Sequence, residues 1–236
     1  MRPLPEYPLN QHAFSTPRGN TVTMYCRANT NDWNTCNSSL TEDEYGLRDL
    51  YFLAGTRALD VGAYIGSVAI GLAIDNPELE VTALEAVPPN VTILRQNLEI
   101  NGLTDRVKVI EGAACSPKRK TQNIAFGYRG TVLAEHHAFV GNSTLLTQAD
   151  THDVTKAPCH SLSEFVPLDL LKIDCEGCEW DFLSGAALAQ VASIHGEWHP
   201  TSGHVQADML AVLEATHEVA FTGPEGGPGG FRAVRK

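Results

Sequence analysis

The stretch LDVGAYIGSVAIGLA, residues 59–73, joins an apolar run that ends in Asp60 to a second apolar run through two glycines. The first run predicts a strand and the second predicts a helix. A strand that turns into a helix through glycine places backbone N–H groups at a crevice above the sheet. Gly62 and Gly66 would let a ligand approach where a side chain would block it, although tight strand–helix packing is the alternative explanation. The G-x-x-x-G spacing lacks the G-x-G-x-x-G of dinucleotide folds, so a pyrophosphate ligand is not favoured.

Strand-like and helix-like patterns alternate on both sides of this turn. Strands are expected at 58–62, 80–86, 106–115, 168–174, 192–199, 218–223 and 231–236, with a shorter piece at 123–128, and helices at 65–76, 88–103, 178–191 and 204–217. This alternation predicts an α/β fold with a mostly parallel sheet covered by helices on both faces. A Gly/Pro loop joins the last two strands and leaves no room for a helix, so they should form an antiparallel pair.

The first 53 residues differ from the rest of the chain because they are polar, irregular and rich in Asn and Thr. We expect an N-terminal arm or lid at 1–53 and the main domain at 54–236. The arm should end in a helix near Glu42–Leu53, with Thr41 as its N-cap. Its aromatic side chains could fold over a site; they include Trp33, Tyr45 and Tyr51.

The charge of the chain limits its partners. The sequence has 17 Lys and Arg against 28 Asp and Glu, a formal net charge of −11. This balance argues against binding to a nucleic-acid backbone or to an anionic membrane surface. No apolar stretch reaches membrane-spanning length, and the N-terminus has no apolar core of a signal peptide. The sequence therefore predicts a cytoplasmic protein.

The six cysteines are too few for a disulfide framework in a chain of 236 residues. Cys175 and Cys178 form a C-x-x-C motif, but zinc would need a second pair at suitable spacing. We expect two small packed side chains at the start of a helix, with a redox role as the weaker alternative.

Three further groups lie where strands end. Glu85 ends the second strand, where an acidic residue can accept hydrogen bonds from ribose hydroxyls. Asp174 ends a buried strand, and it could line a site or only cap the helix whose first turn holds Glu176 and Glu179. Glu197 and His199 lie two apart on a later strand and so face the same side. They could deprotonate a hydroxyl, or hold a divalent ion with Asp174.

Together these segments resemble the FkbM family of S-adenosylmethionine-dependent methyltransferases. The resemblance rests on LDVGAYIGSVAIGLA, VTALEAVPPNVTILRQNLEINGL, VKVIEGAACS, DLLKIDCEGCEWDFL and GEWH, which follow one another over residues 57–199. It departs from the family's KIDVEGAE, where Val and Ala are Cys175 and Cys178, and from the family's Glu-Pro, which is Glu85-Ala86 here. The resemblance implies a class I, Rossmann-like methyltransferase fold with seven strands, one of them antiparallel. It also implies O-methylation of a small-molecule hydroxyl, often on a sugar or natural product.

The same resemblance assigns roles to residues at the strand ends. Asp60, Gly62 and Gly66 would line the methionine side of the cofactor. Glu85 would hold the ribose, and segment 111–114 would lie near adenine. Asp174 would lie near the sulfonium. The full set expected at the cofactor is Asp60, Gly62, Ala63, Tyr64, Gly66, Ser67, Glu85, Ala86, Ala113 and Asp174. Tyr64 could place an aromatic ring beside the sulfonium cation.

The catalytic base is predicted to be His199, oriented by Glu197, with Asp174 as its rival. No metal is predicted, although Asp174, Glu197 and His199 could gather a divalent ion. The expected partner is a small-molecule acceptor, with no nucleic acid and no membrane. Two other functions stay open, an NAD-dependent oxidoreductase and a non-catalytic nucleoside-binding protein on the same fold.

Overall fold

The computed structural model describes residues 8–126, 153–199, 204–224 and 229–236. The strands are β1 (Leu9–Ser15), β2 (Thr21–Arg27), β3 (Arg57–Val61), β4 (Glu80–Glu85), β5 (Val107–Glu111), β6 (Ala113–Ala114), β7 (Thr121–Phe126), β8 (Asp153–His160), β9 (Leu168–Ile173), β10 (Val191–Trp198), β11 (His217–Thr222) and β12 (Gly229–Arg235). The α-helices are α1 (Asp32–Cys36), α2 (Ser67–Asp75), α3 (Pro88–Ile100), α4 (Glu179–Leu183) and α5 (Gln206–Glu214). None of the helices in these ranges is long and apolar enough to cross a bilayer.

A seven-stranded sheet forms the centre, in the order β11-β12-β10-β9-β3-β4-β5. The strands from β10 to β5 pair in parallel, and β12 runs antiparallel to both of its neighbours. This arrangement confirms the predicted sheet, including its antiparallel C-terminal pair. Because the central strands are parallel, their carboxyl ends meet at one edge of the sheet, where ligands bind in open α/β folds.

Both faces of the central strands are buried, as the near-continuous apolar runs require. In β3, Ala58 packs into a core shared with α2 and α3, whereas its neighbour Leu59 packs on the opposite face against α4 and α5. Leu170 and Leu171 of β9 divide in the same way. Helices therefore cover the sheet on both sides, as predicted.

The N-terminal region is more regular than the sequence suggested. The antiparallel hairpin β1–β2 leads into α1 and a π-helix at Asn37–Thr41. The helix predicted near Glu42–Leu53, with Thr41 as its N-cap, is wrong, because these residues form turns. Asp43 adopts a left-handed backbone with φ of 56°, and its carboxylate accepts the amide hydrogens of Leu47 (2.6 Å) and Arg48 (3.2 Å). These turn bonds replace the helical pattern. Residues 1–7 of the predicted arm lie outside the described residues.

Two predicted elements are divided in the structure. The strand expected at 106–115 becomes β5 and β6, and β6 pairs with β8 in a separate three-stranded sheet that also contains β7. The helix expected at 178–191 becomes α4 and a 3-10 helix at Ala186–Gln190, with Gly185 in extended backbone between them. The strand piece expected at 123–128 falls partly on β7, and its last two residues lie outside the described ranges.

Two disulfides form, although the sequence predicted no disulfide framework and only packed side chains at Cys175 and Cys178. Cys115 joins Cys159, and Cys175 joins Cys178, while two cysteines of the N-terminal region are buried and free. The 44-residue separation of Cys115 and Cys159 hid the first pair in the sequence. Cys178 directly precedes α4, so the expected place of the C-x-x-C motif at a helix start is nevertheless correct.

Candidate functional site

A cavity of about 260 Å³ lies at the carboxyl edge of the sheet, and we call it the hollow. Segments that follow β3, β4 and β9 form its floor, β10 contributes one wall, and the N-terminal region forms the roof. Its lining residues are Asn31, Asn34, Thr35, Ser38, Ser39, Glu44, Tyr45, Gly62, Ala63, Tyr64, Ser67, Val68, Glu85, Lys172, Asp174, Glu176 and Glu197. Six residues predicted to bind cofactor therefore face one cavity, namely Gly62, Ala63, Tyr64, Ser67, Glu85 and Asp174.

The glycine turn after β3 is shaped by its neighbours as well as by the hollow. Gly62 has a φ of 72°, and a Cβ there would collide with the carbonyl oxygen of Asp174. Its amide and that of Ala63 both donate to the carbonyl oxygen of Leu84, at 3.0 and 3.2 Å. Gly62 thus serves close packing of strand ends and also lines the hollow, so the two explanations offered by the sequence both apply here.

Glu85 presents a buried carboxylate to the hollow from the end of β4. The residue is 2% exposed, and its oxygens accept N–H bonds from Tyr64 (2.8 Å), Val87 (2.9 Å) and the Asn90 side chain (3.3 Å). Burial raises the pKa of Glu85, and these donors oppose the increase. The carboxylate is therefore held in one orientation, which suits acceptance of hydrogen bonds from a pair of hydroxyls.

Asp60 lies beneath the glycine turn and does not line the hollow. Its carboxylate accepts the Ala69 amide at 3.1 Å and is 3.2 Å from the ammonium of Lys172, which also donates to the carbonyl of Gly62 at 3.2 Å. Burial raises the pKa of Asp60, although Lys172 opposes this. Burial alone would lower the pKa of Lys172, but the negative charges of Asp60 and Asp174 raise it. This pair supports the turn from below, a role that the sequence did not reveal.

Tyr64 links the glycine turn to the N-terminal region. Its hydroxyl donates to Asp32 at 2.5 Å, and Asp32 accepts two hydrogen bonds of 2.9 Å from Arg27. The Arg27 guanidinium lies 5.3 Å from the centre of the Tyr64 ring. The backbone amide of Tyr64 bonds to Glu85, so this residue joins the arm to the predicted ribose site.

Tyr45 brings a second residue of the N-terminal region to the site. Its hydroxyl donates to Asp174 at 2.8 Å, and its ring lies 4.9 Å from the Lys172 ammonium. Its backbone carbonyl lies 2.7 Å from Nδ1 of His195. The sequence named Tyr45 as an aromatic that could cover a site, but its bond to Asp174 spans 129 positions and no local pattern indicates it.

His199 lies among four carboxylates. Its Nδ1 atom is 3.2 Å from Glu179 and 3.9 Å from Asp174, and its Nε2 atom is 3.5 Å from Glu176 and 3.9 Å from Glu197. Burial lowers the pKa of His199, but the hydrogen bond to Glu179 and the surrounding negative charges raise it to about 9. Burial raises the pKa of Glu176 to about 7. Glu179, rather than the predicted Glu197, is the hydrogen-bond partner that orients the ring.

A divalent ion is one alternative occupant near this histidine. Asp174, Glu197 and His199 each offer a ligand atom, and these atoms lie within 4.8 Å of one another. The carboxylates that raise the pKa of His199 include Asp174 of this group, so the cluster favours positive charge whether a proton or a cation supplies it. The absence of a metal stays a prediction.

Besides Asp60, three further residues predicted at the cofactor do not line the hollow, namely Gly66, Ala86 and Ala113. A Cβ on Gly66 would meet Ile70 and Leu94 of the core, and Ala86 and Ala113 are buried together in a small apolar cluster. The sequence also missed residues that do line it. These are Lys172, Glu44, Glu176 and the polar side chains of α1 and the π-helix.

A mostly parallel seven-stranded sheet with one antiparallel C-terminal strand, a glycine turn after β3 and an acidic residue ending β4 define the class I methyltransferase fold. Residues 60–221 match the family model of the methyltransferase FkbM domain. Because this match spans more than half of the chain, the protein belongs to that family, as the sequence predicted, and the family's cofactor is S-adenosylmethionine.

Individual relatives are more distant. The release factor glutamine methyltransferase of Deinococcus radiodurans is 37% identical over 67 residues, and O-methyltransferase imqG of Aspergillus flavus is 35% identical over 57 residues. These segments are 28% and 24% of this chain and 23% of each relative. A candidate transferase from Pyrococcus horikoshii superposes with a TM-score of 0.50 at 12% identity, covering 98% of this chain and 74% of that one. This last likeness shows the fold alone.

Proposed function

We propose that this protein is an S-adenosylmethionine-dependent methyltransferase that methylates a hydroxyl group of a small molecule. The observation that carries the proposal is that Glu85, the Gly62 turn and Asp174 line one cavity. If one of these three groups lay outside the cavity, the cofactor would have no continuous binding site.

The residues of the hollow fit the cofactor by their chemistry. Glu85 offers buried carboxylate oxygens for ribose hydroxyls, and the backbone of the glycine turn offers an uncrowded wall. The Oδ1 atom of Asp174 is buried, and no hydrogen-bond partner for it exists among the described residues. The Nδ1 atom of His199 is 3.9 Å from this oxygen, which is beyond hydrogen-bond distance, so a further cation beside the oxygen would be favourable. S-adenosylmethionine supplies a methyl group on a positively charged sulfur, which leaves as a neutral thioether.

A hydroxyl acceptor must lose a proton, and the carboxylates of the hollow can take it. Glu176 has a pKa of about 7, which is well matched to a general base at neutral pH. The pKa of about 9 makes His199 a proton donor or a fixed positive charge, so its predicted role as base has no support from its surroundings. We assign the base to Glu176 or Asp174, with His199 as the charged partner of both carboxylates.

The size and charge of the hollow favour a small acceptor without phosphates. Residues of α1 and the π-helix line one side of the cavity, and five acidic residues line it as well, namely Glu44, Glu85, Asp174, Glu176 and Glu197. A nucleic-acid backbone would be repelled by these groups and by the net charge of −11. The relative matched over 57 residues is named an O-methyltransferase, which agrees with oxygen as the acceptor atom, whereas the relative matched over 67 residues is named a glutamine methyltransferase.

Titration with S-adenosylmethionine and a screen of hydroxyl-bearing acceptors test this proposal. Glu85→Gln removes one charged hydrogen-bond acceptor, so we expect a loss of about 1.5–3 kcal/mol, or roughly tenfold to a hundredfold in Kd. Glu80→Gln is the matched control because Glu80 begins the same strand and is exposed. Equal Kd values for both variants and the wild type would contradict the assigned ribose site.

The acceptor screen separates the proposal from its two alternatives. A methyltransferase releases S-adenosylhomocysteine and a methylated product, whereas a non-catalytic protein binds the cofactor and releases neither. An NAD-dependent enzyme would bind NAD more tightly than S-adenosylmethionine, and that result would overturn the assignment.

A further inference from the structure

The loop between β9 and α4 contains two cysteines that the proposed chemistry does not use. Cys175 directly follows Asp174, and its sulfur is joined to that of Cys178. The short ring closed by this disulfide contains Glu176 and Gly177, and Glu176 lines the hollow. The disulfide thus encloses a carboxylate of the site.

The backbone inside this ring has an uncommon conformation. Glu176 has a φ of 57° and Gly177 a φ of 105°, and side chains other than glycine seldom occupy this left-handed region. The disulfide holds both ends of the two-residue segment, so it restrains Glu176 in this conformation. An open ring would let Glu176 return to an ordinary backbone conformation and move its carboxylate.

The same loop is attached to the histidine of the site. The Cys175 amide donates to the Glu179 carboxylate at 3.0 Å, and the Gly177 amide donates to its two oxygens at 3.0 and 3.3 Å. The same carboxylate is hydrogen-bonded to His199 at 3.2 Å. Opening of the disulfide-closed loop would therefore affect two ionisable groups near the predicted sulfonium position, Glu176 and His199.

The two cysteines differ in exposure, although both contact the core that contains α4 and α5. Cys178 is partly exposed, whereas Cys175 is buried at 7% exposure. Thiol–disulfide exchange needs access to one sulfur only, and the other sulfur can leave as a thiolate inside the loop.

We propose that Cys175 and Cys178 are a reversible thiol–disulfide exchange site for small dithiols and disulfides, and that its state sets the position of Glu176 in the hollow. The exchange itself is independent of the proposed function, but its effect on cofactor binding rests on that function.

The reaction balances as a two-electron exchange. A thiolate of the dithiol attacks Sγ of Cys178, a mixed disulfide forms, and Cys175 leaves as a thiolate that takes up a proton. The second thiol of the reagent then attacks the mixed disulfide, releases the thiol of Cys178 and leaves as a cyclic disulfide. The protein gains two electrons and two protons, and the reagent loses them.

The test uses reduced and oxidised dithiothreitol on four forms of the full chain. These are the wild type, Cys115→Ser/Cys159→Ser, Cys175→Val/Cys178→Ala and Glu176→Gln. Alkylation with peptide mapping reports the thiols, amide exchange of residues 174–179 reports the loop, and titration reports the Kd for S-adenosylmethionine. The first variant keeps only the pair beside the hollow, and the second keeps only the remote pair, which does not line it.

We expect reduction to expose both thiols, to speed amide exchange in the loop and to raise the Kd for S-adenosylmethionine about fivefold. Cys115→Ser/Cys159→Ser should retain this response and Cys175→Val/Cys178→Ala should lose it. Oxidised Glu176→Gln should already have the weaker affinity, and reduction should change its affinity no further.

Amide exchange that is the same in both buffers, or a response that follows the Cys115–Cys159 pair, would overturn the inference. A chain that opens its loop on reduction but does not bind S-adenosylmethionine in either state would retain the exchange site and refute the proposed function instead.

Discussion

Lys172 and Asp60 show how a single pair of residues supports the glycine turn. Their side chains are 4% and 0% exposed, and the lysine also bonds to the carbonyl of Gly62. Removal of one member leaves the other charge buried without a partner, which costs more than the intact pair contributes. The pair therefore matters for stability and for the shape of the turn.

We expect Lys172→Met to lower the free energy of unfolding by about 3–5 kcal/mol, because the Asp60 carboxylate would stay buried without its counter-ion. Adding Asp60→Asn should restore a large part of this loss. Urea denaturation of the single and double variants measures both effects, and Lys108→Met is the control because Lys108 is exposed on β5. A double variant as unstable as the sum of the singles would contradict the pairing.

The titration of His199 should appear in the stability of the protein. The pKa of His199 is about 9 in the folded chain against about 6.5 for an unperturbed histidine, so its stabilising contribution is fully present below pH 6.5 and disappears as the pH rises through 9. Because water reaches the ring, we expect only about 1–3 kcal/mol of this contribution. The difference in unfolding free energy between wild type and His199→Gln should shrink from pH 6.5 to pH 9.5. A constant difference would contradict the carboxylate cluster.

At the scale of elements, the N-terminal hairpin is attached to α3 by two asparagine side chains. Asn97 accepts the Tyr25 amide at 2.6 Å and donates to the carbonyl of Ile65 at 2.9 Å, and Asn101 bonds to both backbone groups of Thr23. The two side-chain amides hydrogen-bond to backbone groups at the edge of β2, as a neighbouring strand would. They hold the roof of the hollow onto the sheet domain.

We predict that Asn97→Ala destabilises the protein by about 2–4 kcal/mol, because it leaves a buried N–H and a buried carbonyl without partners. Thr92→Ala on the same helix should change stability by less than about 0.5 kcal/mol, since Thr92 is exposed. Thermal or urea unfolding measures both. A similar effect from the two substitutions would show that the hairpin does not depend on this contact.

The elements that the sequence predicted well are those whose pattern is local. The strands and helices from β3 to α3 follow from apolar runs, from Pro88 at a helix start and from Asn101-Gly102 at its end. The helix expected near Glu42–Leu53 failed because Asp43 satisfies amide hydrogens through its side chain, and composition does not reveal this. The two disulfides were not predicted for a similar reason, since the pairing of cysteines depends on the tertiary fold.

For the whole molecule, the alternation of strands and helices was sufficient to predict the sheet and the edge at which its site lies. Glu85, Gly62 and Asp174 could be named in advance because Glu85 ends a strand at that edge and the other two each follow one. The bond from Tyr45 to Asp174 and the roles of Arg27 and Asp32 could not be predicted, because the N-terminal region reaches the site through contacts between distant parts of the chain. The separate arm at 1–53 and main domain at 54–236 stay a prediction.

The central claim is that one hollow at the carboxyl ends of β3, β4 and β9 binds the nucleoside and the sulfur of the cofactor. A crystal structure of the chain with S-adenosylhomocysteine tests it most directly. We predict that the ribose hydroxyls bond to Glu85, that the chain of the ligand crosses the Gly62 turn, and that its sulfur faces Asp174. A ligand bound elsewhere, or bound in the hollow without contact to Glu85, would contradict the account.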